Sequence, residues 1–315
     1  MNFQTQIPIH KSEFPIDYSS KLLSLGSCFA ENMSEKFEYF KFDNVVNPFG
    51  IIFNPVSLEK LILRSIHKKH FTEKDIFYHN ECWHCFEVHS ELSNPNKIEF
   101  LEILNRLLDS TSWHIEKLTH CLITLGTSWV YRHIETDEIV ANCHKIPQKQ
   151  FVKEILSIAQ IEASLKNIIN EILAVNPNCN FIFTVSPVRH IKDGFVENTL
   201  SKAHLISALH TSNFQLLTSS YFPSYEIMMD ELRDYRFYGE DMLHPNPTAI
   251  DYIWIKFFEN YVNEKEFGTM QLVCDIQRAL KHRPFNPNSE SHKKFLENLN
   301  QKINTLVDKY PQFQF

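Results

Sequence analysis

Short apolar runs that each stop at a glycine or a serine, with helix-period stretches between them, constrain this chain more than any other feature. Residues 21–25 read as a buried strand ending at Gly26, after which Phe29, Met33, Phe37 and Phe40 recur at helical spacing. Residues 121–125 form a second such strand ending at Gly126, and residues 180–185 a third ending at Ser186-Pro187. Helical periodicity covers 56–66, 100–113, 155–175, 197–210, 224–232 and, opening on a first-turn proline, 247–261. Residues 138–141 and 214–217 read as short additional strands. Strands alternating with helices predict a parallel sheet covered on both faces, whose ligands bind at the carboxyl edge of the strands. Ser27, Gly126 and Ser186 all fall at that edge.

From about residue 264 the alternation stops, and helical stretches at 270–282 and 289–309 flank a break at 284–287. The expected organisation is a main domain over 1–263, with a less regular insertion around 54–115, and a C-terminal helical extension over 264–315. Only six glycines occur in 315 residues, and neither a G-x-G-x-x-G nor a G-x-x-x-x-G-K pattern is present, which argues against a phosphate-cradling loop. A formal net charge of −7 without a basic stripe argues against nucleic acid as a partner. No apolar run approaches the ~18 residues of a membrane span. The first 18 residues lack the basic and apolar regions of a signal peptide. Seven scattered cysteines suit a reducing compartment better than a disulfide framework, so a cytoplasmic location is expected.

The chemistry-bearing residues are Ser27, in the turn after the first strand, and the run Asp241-Met242-Leu243-His244. An Asp three residues before a His can share one side of a helical turn, where its carboxylate holds Nδ1–H and leaves Nε2 free to take a proton. A serine at a sharp strand-to-helix turn is the natural nucleophile for such a base. Cys28 is a rival nucleophile at the same helix start, but neighbours on a turn point apart, so it is expected to pack into the core. His79, Cys82, His84, Cys85 and His89 resemble the beginning of a zinc site without a second ligand pair at the usual spacing. A strand with inward-facing Trp83 and Phe86 is the simpler reading, and no metal is expected. Arg189, just beyond the third strand, is placed to reach an anionic substrate group.

Gly26-Ser27-Cys28-Phe29-Ala30 resembles, letter for letter, the motif that names the GSCFA family, a branch of the SGNH/GDSL hydrolase superfamily. The resemblance extends over most of residues 20–262 through Asn47-Pro48-Phe49-Gly50, Leu125-Gly126-Thr127, Asn142-Cys143-His144-Lys145 and Asp241-Met242-Leu243-His244-Pro245. It implies a three-layer α/β/α sandwich with a parallel, flavodoxin-like sheet, and a Ser27–His244–Asp241 triad that cleaves acyl esters of carbohydrates or lipids without a cofactor. The backbone N–H groups of Ser27 and Gly50 are then the expected oxyanion donors. Where many superfamily members carry Gly-x-Asn, this chain has Gly126-Thr127-Ser128, which leaves the third donor open among Ser128, Thr127 and Asn47. Asn47, Asn142 and His144, with Arg189, are the expected substrate contacts. An acyltransferase using the same triad, and a weakly catalytic binding protein that kept the fold, are the alternatives. The substrate and the oligomeric state are not legible.

Overall fold

The structure is a computed structural model in which residues 5–211 and 218–315 are described. The strand expected at 214–217 lies outside those residues. Among the described residues ten strands run in chain order as β1 (Lys21–Gly26), β2 (Asp43–Val46), β3 (Phe77–His79), β4 (Cys82–His84), β5 (His120–Leu125), β6 (Trp129–His133), β7 (Glu138–Val140), β8 (Phe151–Ile155), β9 (Asn180–Val185) and β10 (Ser219–Tyr221). Between and after them come the helices α1 (Cys28–Tyr39), α2 (Pro55–Ile66), α3 (Lys97–Ile115), α4 (Ile158–Val175), α5 (Phe195–Leu209), the single turn α6 (Ser224–Glu226), α7 (Pro247–Tyr261), α8 (Phe267–Leu280) and α9 (Glu290–Lys309).

The central sheet is parallel throughout, in the order β10-β9-β5-β1-β2. Its five strands therefore follow the 2-1-3-4-5 arrangement of flavodoxin-type folds, with a topological switch between β1 and β5. Alternate side chains send the sheet into two cores. Leu23, Leu25, Cys121, Ile123, Phe181 and Phe183 pack under α2, α3, α4 and α5. Leu22, Leu122 and Ile182 face the opposite layer, with Phe29, Met33 and Phe37 of α1 and Ile253, Trp254 and Phe257 of α7. The fold is thus a three-layer α/β/α sandwich.

Helix starts are written locally. Asn54 caps α2 ahead of Pro55, Ser157 and Gln160 form a capping box on α4, and Asn246 caps α7 ahead of Pro247. The helix expected from 155 begins instead at Ile158. Phe151–Ile155 is claimed by an antiparallel sheet, β7-β6-β8, and Ser157 supplies the later start. The helix expected over 224–232 holds α-geometry only through Glu226 and continues as a π-helix, Ile227–Glu231. Residues 77–84 form a β-hairpin, β3 against β4.

The C-terminal helices belong to the α1/α7 layer. Met270, Val273 and Ile276 of α8, Leu299 and Leu306 of α9, and Phe313 are buried in that core. Tyr18 stacks on Phe42 at 4.5 Å and meets Tyr310 and Phe313 at 5.1 and 4.9 Å.

Candidate active site

The turn after β1 is built around a position only glycine can fill. Gly26 has φ +130°, and a Cβ there would stand 2.0 Å from the Thr124 carbonyl oxygen on β5. The side-chain oxygen of Asn47 accepts the Gly26 N–H at 2.8 Å, bracing the turn from the loop after β2. The chain then reverses into α1 with Ser27 as N-cap, its Oγ accepting the Phe29 N–H at 3.3 Å. Ser27 is 1% exposed and lies at the β1/β5 switch point, where sheets of this order bind ligands.

Asp241 and His244 are paired, but not on a helical turn. Residues 239–244 form an irregular loop closed by the Gly239 N–H donating to the His244 carbonyl at 2.8 Å and by a bridge between Tyr238 and Pro245. Met242 takes φ +59° so that the chain can fold back. Oδ1 of Asp241 accepts the N–H groups of Leu243 (2.9 Å) and His244 (3.0 Å), while Oδ2 sits 2.5 Å from His244 Nδ1. The His244 and Leu243 N–H groups, and then the imidazole, hold the Asp241 carboxyl down to about 2. Both side chains are about half exposed, at 46% and 49%. The loop is tied to the carboxyl edge of β9 by the Arg189 N–H, which donates to the Leu243 carbonyl at 3.4 Å. Among the described residues no hydrogen bond joins Ser27 Oγ to His244.

The other expected site residues are largely engaged inside the fold. The Ser27 N–H donates to the Thr124 carbonyl at 3.1 Å, and the Gly50 N–H to the Asn47 carbonyl at 2.7 Å. Ser128 is fully buried, its N–H on Ser201 Oγ at 2.7 Å and its hydroxyl on Ser201 as well. Thr127 Oγ1 also meets Ser201 Oγ, at 2.8 Å. Asn47 is buried, its carbonyl on Gly26 and its amide donating to Glu31 at 3.3 Å. Asn142 accepts the His144 N–H at 2.8 Å. His144 is buried, its Nε2 on the Cys85 carbonyl at 2.7 Å, and burial pushes it down to about 4. These two residues brace the hairpin region against the 142–145 turn. Arg189 is partly buried, with no partner for its buried Nε.

Cys28 is not a core residue. It is partly exposed, and burial first, then Glu31, raises its thiol against ionisation. His84 commits both ring nitrogens, to Ser93 Oγ at 2.7 Å and to the His79 carbonyl at 2.9 Å. Among the described residues no group of three or more His, Cys, Asp or Glu is placed to hold a metal ion.

Residues 21–257 match the GSCFA family, and residues 273–315 match the GSCFA domain protein C-terminal domain. The chain belongs to the GSCFA family. No curated protein matches it.

The same edge of this GSCFA protein holds two residues that the sequence reading passed over. Lys202 of α5 is 1% exposed, and its Nζ donates to the Gly126 carbonyl at 2.8 Å and the Ser186 carbonyl at 2.7 Å, clamping the ends of β5 and β9 together. Complete burial brings it down to about 7. His190 stacks on Phe53 with ring centroids 5.4 Å apart, and its buried Nε2 has no hydrogen-bond partner. Lys202 could have been found. Asn198, Ser201, Lys202, Leu205 and Leu209 share a buried helical stripe, and a lysine on such a stripe must have acceptors waiting for it.

Proposed function

We propose that this GSCFA protein is a serine hydrolase of the SGNH/GDSL kind that cleaves acyl esters, of carbohydrates or lipids, through Ser27, His244 and Asp241. Ser27 Oγ adds to the ester carbonyl as His244 Nε2 takes its proton, and that proton returns to the departing alcohol. Water then repeats the sequence on the acyl-enzyme. Asp241 fixes the imidazole with Nδ1–H inward and stabilises the imidazolium that forms.

The observation that carries this reading is the 2.5 Å Asp241–His244 pair, on a loop tied to the same strand edge that presents Ser27. Catalytic hydrogen bonds to a nucleophile tighten when substrate is present, so the unlinked Ser27 and His244 are compatible with it. The unpaired state of all seven cysteines supports a reducing, cytoplasmic setting as part of the same reading. No helix among the described residues is long and apolar enough to cross a membrane.

A second reading is favoured by the internal engagement of the Ser27, Gly50 and Ser128 donors: a fold that binds an acyl ligand and turns it over slowly or not at all. Fluorophosphonate treatment followed by intact-mass analysis and peptide mapping separates the two. Hydrolase chemistry predicts one adduct on Ser27, absent in Ser27→Ala, strongly reduced in His244→Ala and retained in Cys28→Ala. A folded wild-type protein that takes up no adduct refutes the hydrolase and leaves the binding protein. Product analysis with added alcohols then distinguishes hydrolysis from acyl transfer.

A further inference from the structure

An ester hydrolase must stabilise the oxyanion of its tetrahedral intermediate with donors that are free to reach it. The N–H groups of Ser27 and Gly50, and both donors of Ser128, are already used by Thr124, Asn47 and Ser201. Among the described residues at this edge, Arg189 Nε, Asn198 Nδ2 and His190 Nε2 are buried without a partner, and the His190 ring is set against Gly126.

The His190 ring sits against Gly126, at the end of β5, where there is no side chain. Nε2 lies 3.3 Å from the point where a Cβ on Gly126 would stand. Gly26 pairs with Thr124 across the β1/β5 ladder, so Gly126 lies two residues beyond the rung from which Ser27 departs. Phe53 stacks on the ring, and the backbone behind it is fixed, since Asn198 Oδ1 accepts the His190 main-chain N–H at 2.9 Å and Lys202 Nζ donates to the neighbouring Gly126 carbonyl at 2.8 Å. His190 is also close enough to both Lys202 and His244 for each to oppose its protonation.

Burial first, then the nearby Lys202 and His244 side chains, takes His190 down to about 3. It is therefore neutral at neutral pH, with one ring nitrogen a donor and the other an acceptor. A base that weak does not compete with His244 for the Ser27 proton, but it can donate a hydrogen bond to developing negative charge.

Resting on the hydrolase reading above, we propose that His190, in its Nε2–H tautomer, is a catalytic residue that donates to the substrate oxyanion. As Ser27 Oγ bonds to the carbonyl carbon, the carbonyl π pair moves onto oxygen, and the proton passes from Oγ to His244. His190 Nε2–H bridges to that oxygen and keeps its own proton throughout. When the intermediate collapses, the pair returns, the ester C–O bond breaks, and the leaving alkoxide takes the proton from His244.

The test uses the full chain, with p-nitrophenyl acetate hydrolysis and the rate of fluorophosphonate labelling at Ser27 as readouts. His190→Ala is expected to lower kcat by about 10²–10³-fold with KM little changed, the loss typical of one oxyanion donor. His190→Gln, which keeps an N–H donor, recovers a large part of it. In ¹⁵N-histidine-labelled wild type, the His190 ring N–H resonance is expected to move downfield on phosphonylation, a readout independent of how well His190→Ala folds. A folded His190→Ala with wild-type kcat and labelling rate, or an unmoved ring resonance, overturns the proposal while the hydrolase reading stands. A wild type inert to both reagents overturns the two together.

Discussion

Asp241 does two things with one carboxylate, and they can be separated by mutation. Oδ1 caps the 241–244 loop through two backbone N–H groups, while Oδ2 meets the imidazole. Asn at this position keeps an oxygen for the backbone and loses the anion that orients Nδ1–H. Asp241→Asn is therefore expected to retain the wild-type melting temperature and lose about 10²–10⁴-fold in kcat/KM. Asp241→Ala should lose the cap as well, at about 1 kcal/mol by analogy with helix caps. Thermal unfolding beside ester hydrolysis checks both, and a fully active Asp241→Asn would remove Asp241 from the proposed triad. The pairing was legible in the D-x-x-H spacing. The irregular loop was not, because it depends on Met242 taking a positive φ that its side chain disfavours.

The strand-to-helix element around Ser27 rests on Gly26. Gly26→Ala would set a Cβ against the Thr124 carbonyl in a backbone conformation that L-residues avoid, and should cost about 3 kcal/mol or more. Urea unfolding measures it, and a near-neutral result would mean that the turn is differently built. At the facing strand ends, Lys202 makes stability depend on pH in a definite direction. Its ordinary value of 10.5 applies to the unfolded chain, against about 7 when folded. Between those limits the unfolded state binds a proton that the native state does not, so stability rises with pH at up to about 1.4 kcal/mol per unit. Below about 7 both states are protonated and the dependence stops. Lys202→Met should abolish this component of the slope, and chemical unfolding from pH 7 to 10 on both proteins tests it. Equal slopes would mean that Lys202 stays charged in the fold.

The elements that carry this site were written in strong, continuous patterns. β1, β5 and β9 are almost wholly buried apolar runs, and α1, α4 and α7 have clear caps or periodicity. What stayed hidden was short or half-buried. β2 is a polar-ended edge strand of four residues, and β6 and β8 alternate too briefly to stand out before they pair. His190 was missed for a different reason. Its environment comes from Phe53, Gly126 and Asn198, three separate stretches of chain that only the fold brings together.

At the scale of the whole molecule, stability and chemistry occupy opposite ends of the sheet. The last two helices and the tail reach Tyr18 and Phe42, which precede β1 and β2 at their amino ends. Ser27 follows the carboxyl end of β1, a six-residue strand that spans roughly 20 Å. Removing residues 284–315 would strip Leu299, Leu306 and Phe313 from the α1/α7 core, each such side chain contributing about 1.5–3 kcal/mol when buried. That loss is large against a typical total of about 5–15 kcal/mol, so the truncated chain should melt well below the full-length protein and aggregate on warming. Its folded fraction in the cold should nevertheless label at Ser27 at nearly the full-length rate, because nothing in the removed segment touches the 26–28 turn or the 241–244 loop among the described contacts. Thermal unfolding and cold fluorophosphonate kinetics on the same preparation give both numbers. A truncated protein that stays folded but loses its labelling would show instead that the C-terminal helices hold α1, and with it Ser27, in a reactive position.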